Sequence, residues 1–320
     1  ERIQSYNVYF SAEGLGDAWT LFAGEVGFGT NFVDVPPETA SVAQLSIYTK
    51  SSLVEQTTPL IVPVDDIIST VSNTSFLDND LDFDNLGGVL AWTPPDRFAQ
   101  VTLYIIYLAY ESNSSCILDN ASSTTDIAST TTTQMASEDH SDNTTRLLTS
   151  IDANVTEIVR STQFMPWCTK YFGRVAEGTN TLVVPTETVL SPYTHIIVYT
   201  TSSLVEQTRP DDHLVFDAIA TVTDINFLGQ DIDIDQLGGR VLWTPPADAS
   251  RVVAYDLYLA NDEIGVNRSQ IGGDITVGTN AFDLQPNVPR QGFTYFVVYT
   301  KSSLVEQTTP GSHLLIDETS

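Results

Sequence analysis

Basic residues are scarce in this chain. Thirteen lysines and arginines stand against 41 aspartates and glutamates, a formal net charge of −28 over 320 residues. Phosphate binding needs a basic footprint, so nucleic acid and anionic membrane surfaces are not expected partners. Such a surface also repels copies of itself unless cations screen or neutralise it locally. Long hydrophobic runs are missing too, with no stretch of 18 or more apolar residues that reads as a membrane span. Cysteine is nearly absent. The two present, Cys116 and Cys168, bracket one segment. A disulfide between them closes a loop worth roughly 4 kcal/mol in chain entropy; two unrelated buried thiols are the alternative. Catalytic signatures are lacking as well: no GxSxG, no HExxH, no phosphate loop and no glycine-rich dinucleotide turn. The four histidines, His140, His195, His213 and His313, are scattered and make no relay. An enzyme is not expected.

What the chain does have is repetition. The heptapeptide SSLVEQT occurs at 51–57, 202–208 and 302–308, each time after a Tyr-Thr pair and before a proline. Tyr48, Tyr199 and Tyr299 set the register of a unit about a hundred residues long, with about fifty extra in the middle copy. The last copy contains Phe227, an alternating run DIDID, Gly238-Gly239, RVLWTPP, YDLYLA, GTN and FTYFVVYT before its SSLVEQT. The middle copy matches with Phe76, DLDFD, Gly87-Gly88, VLAWTPP, YIIYLA, GTN and THIIVYT. The first copy starts at SYNVYFSA and has nothing that corresponds to the Asp run or to WTPP. These segments are short, rich in Val, Ile, Tyr and Phe, and bounded by turn residues, the pattern of an all-β sandwich.

A strand ending in WTPP, a next strand with Tyr-x-x-Tyr, and a late aromatic strand resemble a fibronectin type III module, an immunoglobulin-like sandwich. The resemblance implies that Trp92 and Trp243 are core tryptophans of the second strand. It also implies that Tyr104 and Tyr255, or their neighbours Tyr107 and Tyr258, are the third-strand tyrosines. The expected organisation is a partial module over 1–59 lacking its first strands, then complete modules over 60–210 and 211–310. A tail over 311–320 reads as the start of a further module. Beginning at ERIQSYN, in mid-module, the sequence reads as either a processed fragment or a window on a longer polypeptide.

The middle copy's extra residues, 111–165, are rich in Ser, Thr, Asp and Asn, a composition that cannot bury a core. Within it, RLLTSIDANVTEIVRS is expected to pack back as a short helix or strand. Acceptor tripeptides for N-linked glycans begin at Asn73, Asn113, Asn120, Asn143, Asn154 and Asn267, four of them in this insert. N-linked glycans, with O-linked ones on the Ser/Thr tracts, and a disulfide together point to a secreted, extracellular protein.

The alternating aspartates are the most chemically suggestive feature. Asp80, Asp82 and Asp84, and likewise Asp231, Asp233 and Asp235, project to one face of an extended segment, which suits calcium. The competing reading is a strand with Leu81, Phe83, Ile232 and Ile234 turned inward and its acidic face in water. No other cofactor is indicated. SSLVEQT, repeated once per module, reads as a module-ending strand and linker rather than a reaction centre. A repeat that begins with an unfinished module suggests a structural subunit of an extracellular fibril or appendage. Its partners would be other copies of itself, joined head to tail with strands completed between subunits. The alternative is a cell-surface adhesion or receptor ectodomain that binds protein or carbohydrate.

Overall fold

Alternation decides which side of each strand is buried. In YIIYLA, Tyr104, Ile106 and Leu108 share one face and are buried, while Ile105 and Tyr107 between them are only partly covered. The same pattern fixes the other sheet. On NLGGVLAWT, Leu86, Leu90 and Trp92 turn inward and Val89 points to solvent. The computed structural model describes residues 2–11, 19–112, 116 and 167–316. Among these the chain is all-β, with no helix.

The first module contributes β1 (Ser5–Ser11), β2 (Trp19–Gly27), β3 (Gln44–Lys50) and β4 (Leu60–Pro63), which form one sheet in the order β2-β1-β3-β4. The middle module has β5 (Ser72–Asp78), β6 (Asn85–Thr93), β7 (Leu103–Glu111), β8 (Trp167–Ala176), β9 (Thr181–Val189), β10 (His195–Thr201) and β11 (Asp211–Leu214). They make two sheets, β5-β6-β9 and β11-β10-β7-β8, whose inner faces share one core. Third come β12 (Thr223–Gly229), β13 (Gln236–Thr244), β14 (Ala254–Ala260), β15 (Ser269–Gln270), β16 (Ile275–Thr276), β17 (Ala281–Pro289), β18 (Tyr295–Lys301) and β19 (Gly311–Leu314). Here β12-β13-β17 packs on the sheet of β15, β14, β18 and β19, with β16 also paired to β14.

This three-on-four arrangement is that of tandem immunoglobulin and fibronectin type III-like β-sandwiches. Trp92 and Trp243 lie on the second strand of their modules, each edge-on to a third-strand tyrosine: Tyr104 at 5.3 Å and Tyr255 at 5.5 Å between ring centroids. Of each tyrosine pair, therefore, the first member is the core residue. Tyr107 and Tyr258 stand on the opposite face of the same strand.

Two expectations need correction. The segments after SSLVEQT were expected to open the next module, yet β4 pairs with β3, β11 with β10 and β19 with β18. Each is the last strand of the module before it, so the boundaries at 59/60, 210/211 and 310/311 fall one strand too early. Residues 311–316 therefore complete the third module, β19 pairing with β18 and Leu315 entering its core. The physical reason is the hairpin: SSLVEQT is a turn short enough that the next residues fold back on the strand they left. The second correction concerns the Asp runs. Neither run is a strand; both are turns, between β5 and β6 and between β12 and β13.

The first module shows what depends on that hairpin. Residues 29–36, GTNFVDVP, match the GTNTLVVP of β9, which is a strand because it pairs with β6. With no counterpart of β6 among the described residues, residues 28–36 are irregular and Phe32 is 72% exposed. The expected helix in the insert, and Asn113, Asn120, Asn143 and Asn154, lie outside the described residues.

Candidate functional site

SSLVEQT is built as a staple. Ser302 Oγ accepts the N–H groups of Leu304 (3.0 Å) and Val305 (3.1 Å), closing a tight hydroxyl-capped turn. Ser51 and Ser202 do the same in their copies. The glutamate forms a β-bridge one turn back and accepts a tyrosine hydroxyl: Tyr9 to Glu55, Tyr107 to Glu206 (3.0 Å) and Tyr258 to Glu306 (2.7 Å). Burial, and next the carboxylate beside it, drives the Tyr107 phenol far up; Tyr258 behaves alike. In the third module Arg268 stacks over Tyr258 and Tyr299 and pairs with Glu306 at 2.6 Å. The glutamine ties the end of a module to its beginning. Gln307, 1% exposed, accepts from Thr300 Oγ1 and donates to Thr221 Oγ1 (2.9 Å), and Gln207 joins Thr200 to Thr70 in the same way. Glu55, Glu206 and Glu306 thus each take part in one staple per module.

The Asp runs have a local cause. Asp78 Oδ1 accepts the N–H of Asp80 (3.1 Å), Asp80 Oδ1 that of Asp82 (3.2 Å), and Asp231 Oδ1 that of Asp233 (3.1 Å). A carboxylate that captures the N–H two residues on makes an Asx turn, so a spacing of two here encodes consecutive turns and not a pleat. The second oxygen of Asp80 accepts Glu187 N–H (2.8 Å) and that of Asp231 accepts Asn287 N–H (2.7 Å), tying turn to opposite strand in both modules.

Beyond that shared frame the two turns part. The middle turn is clasped by the third module. Leu81 is fully buried within the third-module core beside Ala220 and Val222, and its carbonyl accepts Ala220 N–H (3.1 Å). Asp82 accepts Thr308 N–H (2.6 Å), Thr309 N–H (2.8 Å) and both threonine hydroxyls. Ser302 donates to Asn79 O (2.6 Å), Ala218 N–H to Asp78 Oδ2 (2.9 Å), and Asp84 N–H to Asp217 (2.8 Å). Leu304 closes over Gly87, where an added Cβ would sit 3.1 Å from its methyl. Burial pushes the Asp78 carboxyl up to about 6 against the opposing pull of three backbone N–H groups, and burial raises Asp217 too. The linker and the SSLVEQT staple of one module therefore form a socket for the turn of the module before it.

The equivalent third-module turn is empty-handed. Ile232 occupies Leu81's place and is 93% exposed, Ile234 is exposed as well, and Asp233 has no hydrogen-bond partner for its carboxylate among the described residues. So the expected strand with its apolar face inward and its acidic face in water is not what forms: Leu81 is buried but so are Asp80 and Asp82, while Phe83, Ile232 and Ile234 are outside.

Of the six aspartates read as calcium ligands, Asp80 and Asp82 come together with Glu187, their oxygens within 4.8 Å of one another. Asp84 is outside that group, and Asp231, Asp233 and Asp235 form none among the described residues. All four oxygens of Asp80 and Asp82 already accept a hydrogen bond from the protein. Sequence reasoning missed Glu187, Asp217, Thr308 and Thr309; the Asp-x-Asp spacing, with aspartate so poor in strands, was the signal for the turn. Cys116 and Cys168 form a disulfide with Cα atoms 5.4 Å apart. Asn73 and Asn267 are exposed, both in left-handed backbone (φ 53° and 52°).

No known protein family and no curated protein matches this chain. Among solved structures, the crystal structure of chicken CNTN1 FN1-FN3 domains aligns over 98% of this chain and 91% of its own, at 10% identity and a TM-score of 0.27. A likeness at that level carries no argument; the fold assignment rests on strand order and the shared core.

Proposed function

We propose that this chain is a structural subunit of a secreted, glycosylated extracellular fibril or surface appendage, assembled head to tail with strands completed between subunits. One observation carries the reading: consecutive modules are locked to each other, the Leu81 turn of the middle module entering the core of the third and Asp82 accepting from Thr308 and Thr309. A repeat joined by such a contact extends in one direction, as a head-to-tail array does. The disulfide and the two exposed acceptor asparagines support an oxidising, secretory route. Among the described residues no helix is long and apolar enough to cross a membrane. The staple and clasp residues, which in an enzyme would be candidates for proton transfer, are consumed in holding modules shut and together.

Electron microscopy of the purified, glycosylated protein tests the proposal. Unbranched fibrils with an axial repeat matching the module array are the expected result. Discrete monomers at all concentrations, with saturable binding to a protein or carbohydrate ligand, would instead favour an adhesion or receptor ectodomain.

A further inference from the structure

One position of the repeat is furnished differently in each module. On the face of the sheet that points away from the core, every copy sets two tyrosines edge to face beside the glutamate of SSLVEQT. Tyr9 and Tyr48 lie 5.3 Å apart at 84°, Tyr107 and Tyr199 5.7 Å apart at 89°, and Tyr258 and Tyr299 5.5 Å apart at 88°. The third module fills this frame with a cation. The Arg268 guanidinium stands 4.7 Å from the ring centre of Tyr258 and 4.2 Å from that of Tyr299, and its nitrogen is 2.6 Å from Glu306. In the first module the side-chain amide of Asn7 donates to Glu55. Both modules also place a lysine across the β-bridge from the glutamate, Lys50 opposite Glu55 and Lys301 opposite Glu306. The middle frame has none of these. Ile105 stands where the others have Asn7 and Asp256, two residues before the tyrosine. Thr201 replaces the lysine opposite Glu206, and its Oγ1 is buried with no hydrogen-bond partner among the described residues. Burial lifts the Glu206 carboxyl above its ordinary range against the opposing pull of the Tyr107 hydroxyl, and no basic side chain among the described residues pairs with it. What the middle module adds is a third ring: Tyr171 of β8, 56% exposed, lies 6.0 Å from Tyr107 at 80°.

We infer that Tyr107, Tyr171, Thr201 and Glu206 form a binding site for a guanidinium group, carried by an arginine of a peptide or protein ligand. The face of a phenol ring attracts a cation, and a half-buried carboxylate attracts one more strongly than an exposed carboxylate does, because less water screens it. The repeat supplies its own precedent, since the third module satisfies the same tyrosine pair and glutamate with an arginine. A guanidinium suits the middle frame better than an ammonium. Being flat, it stacks on a ring while its edge offers several N–H donors at once, to Glu206 and to the unsatisfied Thr201 Oγ1. A net charge of −28 draws basic ligands toward the chain, and the cage selects among them. The competing reading is that Tyr171 takes the room that Arg268 takes in the third module. A phenol in that room, however, brings no positive charge to Glu206. The inference is independent of the assembly reading, because a fibril subunit and an ectodomain can carry such a site alike.

The test is calorimetric titration of the full chain, at physiological salt, with the capped peptide Gly-Ser-Arg-Ser-Gly. Two control peptides carry lysine or citrulline in place of the arginine; citrulline keeps the shape and loses the charge. Saturable 1:1 binding of the arginine peptide is expected, with lysine about tenfold weaker and citrulline inert. Glu206→Gln should weaken binding at least about tenfold and Tyr171→Ala about threefold to tenfold. Thr201→Lys, which restores the lysine of the other two modules, should weaken it about tenfold as well. In NMR spectra the ring signals of Tyr107 and Tyr171 should move on titration, and those of Tyr258, whose frame is already filled, should stay. Circular dichroism matching that of the parent chain shows each variant folded, and Tyr171 is exposed enough that its variant keeps the test open should another misfold. No saturable binding, equal binding of the citrulline peptide, or equal binding by Glu206→Gln and the parent would each overturn the inference. Binding that appears only after Arg146→Gln and Arg160→Gln are introduced together would overturn it too, by assigning the cage to the chain's own arginines.

Discussion

Leu81 and Ile232 occupy the same position of the repeat, one fully buried in a neighbouring module's core and the other 93% exposed. That pair makes a controlled experiment inside a single chain. Truncating a buried leucine to alanine removes its transfer free energy and leaves a cavity, a loss of about 2–5 kcal/mol. Turn and socket around Leu81 are tied by several hydrogen bonds, Ala218 N–H to Asp78, Thr308 N–H to Asp82 and Asp84 N–H to Asp217, so the site has little freedom to collapse. Leu81→Ala should therefore fall at about 3 kcal/mol, whereas Ile232→Ala should stay within about 0.5 kcal/mol of wild type. For a cooperative unit of two modules, about 3 kcal/mol lowers the melting temperature by roughly 6–12 °C. Differential scanning calorimetry of the two variants beside the parent chain gives the measurement. The third module, which loses a core residue supplied by its neighbour, should show the shift together with the middle one. Equal effects at both positions, or a Leu81→Ala shift below about 2 °C, would refute the clasp.

Other outcomes follow from the same contacts. Asp78 is held near 6, above its ordinary value, so its contribution is complete below about pH 4 and is lost as pH rises through 6. Asp78→Asn should remove that slope from the melting temperature measured between pH 4 and 7. Gln307→Ala breaks a buried tie between Thr300 and Thr221 and should cost about 1–3 kcal/mol in urea unfolding, while the exposed Gln56→Ala should be near neutral. Replacing Cys116 and Cys168 together by serine should lower the stability of the middle module by up to about 4 kcal/mol, and reductant should have no further effect on the variant. Asn73→Gln and Asn267→Gln should each reduce the mass of protein expressed through a secretory pathway by one glycan in intact-mass spectrometry.

The modules were legible because their signals are local and repeated. Alternation in YIIYLA and YDLYLA, and the tryptophan of WTPP, report directly on which face is buried, and the core uses them as read. Boundaries were less legible, since β11 and β19 differ in sequence from β4 although all three play one role. LIVP, DDHL and GSHL share no pattern of polarity, because an edge strand four residues long is held by backbone pairing. The Asp turns were misjudged for a different reason. A period of two is written identically by a pleated strand and by successive Asx turns, and only aspartate's poor fit to strands separates them. The clasp itself could not be read from spacing at all. Asp82 and Thr308 lie 226 residues apart and meet only because two sandwiches dock.

Gripping a turn from two directions has a mechanical consequence. Domains strung on a short connector ordinarily swivel, since contacts between neighbours are small and wet. Here a tilt of the middle sandwich against the third must withdraw Leu81 from a buried pocket and stretch the bonds to Asp82 and Asp78. Bending in either sense is opposed, so the junction behaves as a stiff joint rather than a hinge. Tension along the polypeptide is shared between the connector and the clasp, so the two sandwiches carry load as one rigid piece.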